Sequence, residues 1–161
     1  MSQPVLSVRG LTTVLHLPGG PVEVVKGVDF EVLPGETVAL VGESGCGKSM
    51  TMLSVMGLHP RPPAEVVAGE VMLDGVDLLT MTEDRRRTVR GAQLAMVYQD
   101  PMTSLNPLMR IGEQIGEVLL AHGKERNQAH DRTLEVLAQV GIPQPARAAR
   151  AFPHEFSGGM R

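Results

Sequence analysis

The sequence predicts an α/β fold, and three observations carry that expectation. The first half of the 161 residues is rich in β-branched residues, Gly and Pro and is patterned like strands; from Pro107 onward the spacing becomes helical; and a glycine-rich loop lies between an apolar run and a helical stretch. The length suits one domain or a little more. A hydrophobic fraction of 42%, a charged fraction of 20% and a net charge of -3 suit a soluble globular chain and exclude disorder for most of it. No run approaches the roughly 18 to 20 apolar residues of a spanning helix, and residues 1–8 lack the basic start and apolar block of a secretory signal, so the chain reads as cytosolic. The single cysteine, Cys46, excludes an internal disulfide framework and a thiolate zinc cluster, and fits a reducing compartment. A pI near 5.9 and 2% aromatics argue against a nucleic-acid binder that works by surface charge or base stacking.

Taken in order, Val28, Phe30 and Val32 alternate with Asp29 and Glu31, the pattern of a half-buried strand. Pro34-Gly35-Glu36 turns the chain into Thr37–Val41, a continuous apolar run that suits a parallel strand covered on both faces. Lys48–Met56 has helical spacing in Met52, Leu53, Val55 and Met56 and stops at Gly57. Residues 59–69, with three prolines, read as a surface connection. Glu70–Asp77 holds Asp74-Gly75 between apolar residues, a hairpin signal. Acids precede bases across Glu83–Arg90, as a solvated helix prefers, and Leu94–Tyr98 is a second candidate buried strand. Ile111, Ile115, Val118 and Leu119 mark one helix face; Leu134, Leu137 and Val140 mark another, ending at Gly141. Charge divides unevenly: residues 1–80 hold 4 Lys/Arg and 9 Asp/Glu (-5), residues 81–161 hold 11 and 9 (+2).

The loop Gly42-Glu43-Ser44-Gly45-Cys46-Gly47-Lys48-Ser49 matches G-x-x-x-x-G-K-[ST] in the context that pattern requires, between a strand-like run and a helix. Glycines let backbone N–H groups point inward around a phosphate where a Cβ would obstruct. The helix start at Lys48-Ser49-Met50 adds its positive dipole end. Lys48 is then the point charge for the β- and γ-phosphates, and the Ser49 hydroxyl the ligand for Mg²⁺. Cys46 either fills a small-residue position or, beside Lys48, is a thiol whose alkylation blocks nucleotide binding. Asp74 lies at an apolar run's end but inside the hairpin signature, and is taken as a turn residue.

Three segments together resemble the ATPase subunits of ATP-binding-cassette (ABC) transporters: residues 42–49; the run Tyr98-Gln99-Asp100-Pro101-Met102-Thr103-Ser104-Leu105-Asn106-Pro107, similar to the glutamine loop; and Phe156-Ser157-Gly158-Gly159-Met160-Arg161, similar to the signature motif. The strings QDPMTSLNP and PHEFSGGMR look like the dipeptide and oligopeptide importer branch. The resemblance implies a P-loop NTPase of ABC type: a mixed sheet with an antiparallel β subdomain, then a helical subdomain. Residues 1–106 are expected to form the N-terminal part of the ATP-binding core, and residues 107–161 the helical subdomain. It implies ATP and Mg²⁺ as cofactors, Lys48 and Gln99 as catalytic residues, Ser49 and Gln99 as metal ligands, and Ser157, Gly158 and Gly159 closing on the γ-phosphate held by a second cassette. From its residues alone, Gln99 is equally a polar strand-end cap. The implied partners are a second ATPase subunit, transmembrane permease subunits and, indirectly, an extracytoplasmic substrate-binding protein, with the chain peripheral on the cytoplasmic face of the membrane and no nucleic acid bound. Nickel, glutathione and non-transport cassettes are the alternatives.

The family's adenine-stacking aromatic has no counterpart in Thr13-Val14-Leu15-His16, where Leu15 or His16 is the candidate. The signature helix, a strand-end Asp with its catalytic Glu, and the switch His are not found, so the chain is expected to be an N-terminal portion of a longer cassette that hydrolyses ATP poorly alone.

Overall fold

Strand β1 (Leu6–Leu17) is paired on both sides, and the first part of the chain is built outward from it. In the computed structural model, which describes residues 3–98 and 104–160, β1 lies between β2 (Gly20–Val32) and β3 (Ala64–Leu73), and β3 pairs with the two-residue β4 (Val76–Asp77). All pairings are antiparallel, in the order β2-β1-β3-β4. The register explains the alternation read in β2. Val32, Leu6 and Leu73 form one row across three strands, and Phe30, Val8 and Val71 the next, with Val8 and Val71 fully buried. Ser7, one residue along, faces the other way and donates its hydroxyl to Glu31 at 3.1 Å. Asp74 and Gly75 turn β3 into β4 with φ of 47° and 80°, the two left-handed residues of the turn that matches strand twist.

Helix α1 (Lys48–Met56) is seated on β1 by a buried hydroxyl pair, Thr13 Oγ1 and Ser54 Oγ 2.8 Å apart with both residues at 0% exposure. Its last carbonyls meet a cation. Arg90 donates from Nε to Met56 O and from Nη2 to Gly57 O, each at 2.9 Å, and from Nη1 to Glu83 Oε1 at 2.6 Å. Glu83 opens helix α2 (Glu83–Val89), and the Arg90 hydrogen bond holds its carboxyl below the usual range. Nearby His59 is buried, with Nε2 accepting from Arg61 Nε at 2.5 Å. An arginine always carries its proton, so the ring proton sits on Nδ1. Burial lowers the His59 pKa first and the Arg61 charge second; Nδ1 has no partner at hydrogen-bonding geometry, and the Leu53 carbonyl offsets part of the shift.

Two expected strands do not form. Thr37–Val41 and the segment ending at Tyr98 pair with no strand among the described residues, and Val41 and Val97 are 85% and 96% exposed. An extended run becomes a strand only where a neighbour completes its ladder. Among the described residues every strand belongs to the antiparallel sheet, so the parallel strands of the expected mixed sheet are not seen. The expected connection over residues 59–69 is shorter than read, because β3 begins at Ala64, where pairing with Leu15 of β1 overrides a proline-rich approach.

The chain divides into two units after Arg90. The second is helical: α3 (Ile111–Ala121), α4 (Arg126–Gln139) and the single turn α5 (Pro145–Ala148). Its core gathers Ile111, Leu137, Ala148, Ala149 and Phe156, with Ile115 and Leu134 packed against them. Val118 and Val140, placed on the buried faces by spacing, are 52% and 69% exposed. The buried line of α4 is instead Ala129, Thr133 and Leu137, with the Thr133 hydroxyl satisfied by Ala129 O at 2.7 Å. The first amides of α3 donate to Ala151 O and Ala149 O, at 3.0 and 2.9 Å, which satisfies a helix end from the chain segment that leads to Phe156.

Two stability measurements test this account. Ser54→Ala leaves the Thr13 hydroxyl buried without a partner and should cost about 1–3 kcal/mol in urea unfolding, whereas adding Thr13→Val should recover most of the loss. Additive losses would deny the coupling. For His59 the folded pKa lies below the ordinary 6.5, so its contribution is present above that value and lost as pH falls through the lowered one. The urea midpoint should therefore fall on acidification from about pH 7.5 to 5.5, and His59→Gln should flatten that slope.

Candidate phosphate-binding site

The loop Gly42–Ser49 leaves the exposed Thr37–Val41 segment and enters α1 through Gly47, whose φ of 94° is left-handed. A Cβ on Gly47 would collide with the carbonyl oxygen of Val24 in β2, so the position is closed to every other residue by packing as well as by conformation. Gly47 O in turn accepts from the Thr51 amide at 2.8 Å and the Thr51 hydroxyl at 2.9 Å. The loop is thereby clamped between a strand carbonyl and the first turn of a helix that β1 holds in place.

Lys48 curls over this loop. Its Nζ donates to Gly42 O at 2.8 Å, Glu43 O at 2.6 Å and Cys46 Sγ at 3.4 Å. The amides of Gly45, Gly47, Lys48 and Ser49 have no acceptor among the described residues, those of Lys48 and Ser49 because a helix start supplies none. An ammonium, free backbone amides and a helix start on one exposed loop form a donor set that fits a phosphate group. Ser49 is exposed beside them and Met50 half-buried behind it. Ser49 offers an exposed hydroxyl of the kind that ligates Mg²⁺; among the described residues there is no cluster of three His, Cys, Asp or Glu side chains for a metal of the protein's own. Glu43 and Ser44 are exposed in the loop.

The other sequence-read residues separate into three groups. Gln99 lies outside the described residues, as do the next four. Ser157, Gly158 and Gly159 belong to the second unit and are exposed; they form a short 3-10 turn, with Met160 N donating to Ser157 O at 3.0 Å, rather than the start of an α-helix. A Cβ on Gly158 or Gly159 would meet nothing within 4 Å among the described residues, so packing against those residues does not demand glycine there. Leu15 is half-buried in β1, while the exposed His16 ring is drawn to Glu65 of β3, Nε2 to Oε2 at 2.7 Å. Thr51, Val24 and Arg90 were missed by sequence reading. Thr51 is legible as the residue one turn after Gly47, but nothing local announces Arg90, which reaches the end of α1 from 34 residues away.

A phosphate loop packed against a β2 carbonyl and running into a lysine-serine helix start defines a P-loop nucleotide-binding protein, and comparison with known proteins narrows the class. The chain belongs to the ABC transporter family, whose family pattern matches residues 25–161. It is 47% identical over 157 residues to the oligopeptide transport ATP-binding protein OppD of Bacillus subtilis (97% of this chain, 44% of that protein). It is 46% identical over 160 residues to the dipeptide transport ATP-binding protein DppD of the same organism (99% and 48%). The chain thus spans about half the length of these relatives, or less. Among solved structures it superimposes on a dimeric bacterial ABC transporter cassette, MJ0796, with a TM-score of 0.80 at 23% identity, covering 96% of this chain and 64% of that one. The likeness shows an ABC cassette fold.

Cys46 offers a direct probe of the loop, since it is exposed and its sulfur accepts from Lys48. Alkylation by N-ethylmaleimide should slow by about tenfold or more at saturating MgATP, because the nucleotide would cover the loop. Equal rates with and without MgATP would refute phosphate binding at this loop.

Proposed function

We propose that this chain is the ATP-binding part of an ATPase that energises an importer of dipeptides or oligopeptides. The observation that carries the reading is the loop clamped between Val24 O and α1, with Lys48 poised over free amides. The loop amides and Lys48 bind the β- and γ-phosphates, and Lys48 leaves its contacts with Gly42 O and Glu43 O for the phosphate oxygens, which are stronger acceptors because they are charged. Ser49 and Gln99 would hold Mg²⁺, whose charge would offset that of the phosphates. The names of the relatives, oligopeptide and dipeptide transport ATP-binding proteins, support the cargo class.

The open space at Gly158 and Gly159 supports a second cassette as partner: two glycines that no contact with the described residues requires leave backbone N–H groups approachable by another subunit's nucleotide. The dimeric state of the MJ0796 cassette supports the same reading. The relatives' names, transport ATP-binding proteins, support a place of action on permease subunits at the cytoplasmic face; no helix among the described residues is long and apolar enough to cross a membrane. Residues 1–106 then serve as the ATP-binding core and residues 107–161 as the helical subdomain that faces those partners.

Lys48→Ala should weaken MgATP binding by about tenfold to a hundredfold, the worth of charge-assisted bonds to phosphate, with urea stability nearly unchanged because the side chain is partly exposed. Titration with a fluorescent ATP analogue measures it. Undiminished affinity in a folded variant would overturn the assignment.

A further inference from the structure

The antiparallel sheet has an open ladder edge with a groove beside it. From Ala64 to Gly69, β3 pairs with β1 on one side only. On the other side β4 reaches Met72 and Leu73, and the Leu78 amide reaches Val71 O, so the outward N–H and C=O groups before Val71 find no strand among the described residues. Along this edge runs a groove of about 630 Å³. Residues 64–69 of β3 line it, together with Arg61, Leu79 and Arg86.

The charge in this groove is unbalanced. Neither Arg61 nor Arg86 has a carboxylate within 4.0 Å among the described residues; Arg86 is held by Met81 O and Leu79 O, and Arg61 is oriented by its bond to buried His59. Glu65 also lines the groove, but His16 engages its carboxylate. Exposed edges are usually blunted by charge, proline or an early end to the strand. Here Pro62 and Pro63 stop the strand from lengthening, and the space a Cβ on Gly69 would fill is taken up by the Gly10 and Leu11 backbone of β1. The small Ala68 and the half-exposed Val67, an apolar contact, carry no charge that would blunt the edge.

We infer that this edge binds an extended acidic peptide segment of a partner protein as an added strand, with backbone bonds to residues 65–70 and carboxylates on Arg61 and Arg86. This is the strand-addition mode, in which main-chain bonds supply affinity and side-chain pockets select sequence. It is independent of nucleotide binding.

The test titrates the chain with fluorescein-labelled hexapeptides: alternating glutamate and valine; alternating lysine and valine; and the glutamate peptide N-methylated at alternate residues in either register. The acidic peptide should bind. One methylation register should abolish binding while the other leaves it, because only alternate amides face the sheet. Arg61→Gln, at an exposed position, should weaken binding by about tenfold with the circular dichroism spectrum unchanged. Equal binding of the lysine peptide, indifference to both methylation registers, or no saturation below about millimolar peptide would overturn the inference. Full displacement by inorganic phosphate without register dependence would overturn strand addition in favour of a simple anion site.

Discussion

The buried hydroxyl pair between Thr13 of β1 and Ser54 of α1 is the contact on which the rest of the first unit turns. A helix start can act as a phosphate site only if its direction is fixed, because the free amides diverge when the helix rocks. β1 supplies that fixity. It is paired along most of its length on both sides, by β2 and β3, and its Thr13 meets the second turn of α1. A hydroxyl pair at zero exposure has no alternative partner in water, so any displacement of α1 leaves two orphaned groups in an apolar setting.

From that seat, constraint passes along α1 in both directions. Toward its start, Gly47 is trapped between the Val24 carbonyl and the Thr51 hydroxyl, so the loop inherits the rigidity of β2 and of the helix together. Toward its end, the carbonyls of Met56 and Gly57 are closed by Arg90, itself oriented by Glu83. The cation at this end and the unbound amides at the other both follow the helix dipole. The second unit solves the same terminus problem without charge: the first amides of α3 are taken by Ala149 O and Ala151 O. That exchange ties the start of α3 to the segment carrying Phe156, the buried residue just before Ser157-Gly158-Gly159, so an exposed glycine turn is delivered from an ordered core.

Strand residues were legible where their partners are near. The alternation in residues 28–32 and the Asp74-Gly75 turn are local signals, and both appear as read. Thr37–Val41 and Leu94–Tyr98 carry the composition of buried strands but sit exposed, since hydrophobicity specifies a preference for burial and cannot supply the neighbour that completes a ladder. The same limit explains Val118 and Val140. Helical spacing put them on an apolar stripe, whereas the faces that meet are chosen by Gly116 against Thr133 and by Ile111 against Ala149 and Phe156.

The sequence by itself determined the phosphate loop, its lysine and serine, and the family, because a loop that must wrap a phosphate admits few residue types at fixed spacing. Only the tertiary structure decided what holds that loop: Val24 O against Gly47, Ser54 on Thr13, Arg90 on the end of α1. These contacts join residues between 23 and 41 positions apart by subtraction, far beyond any helical or strand period, and each uses a backbone carbonyl or a common hydroxyl that sequence pattern does not mark. The open edge of β3 was likewise invisible in the chain, since whether a strand has one neighbour or two is settled by what the fold brings beside it.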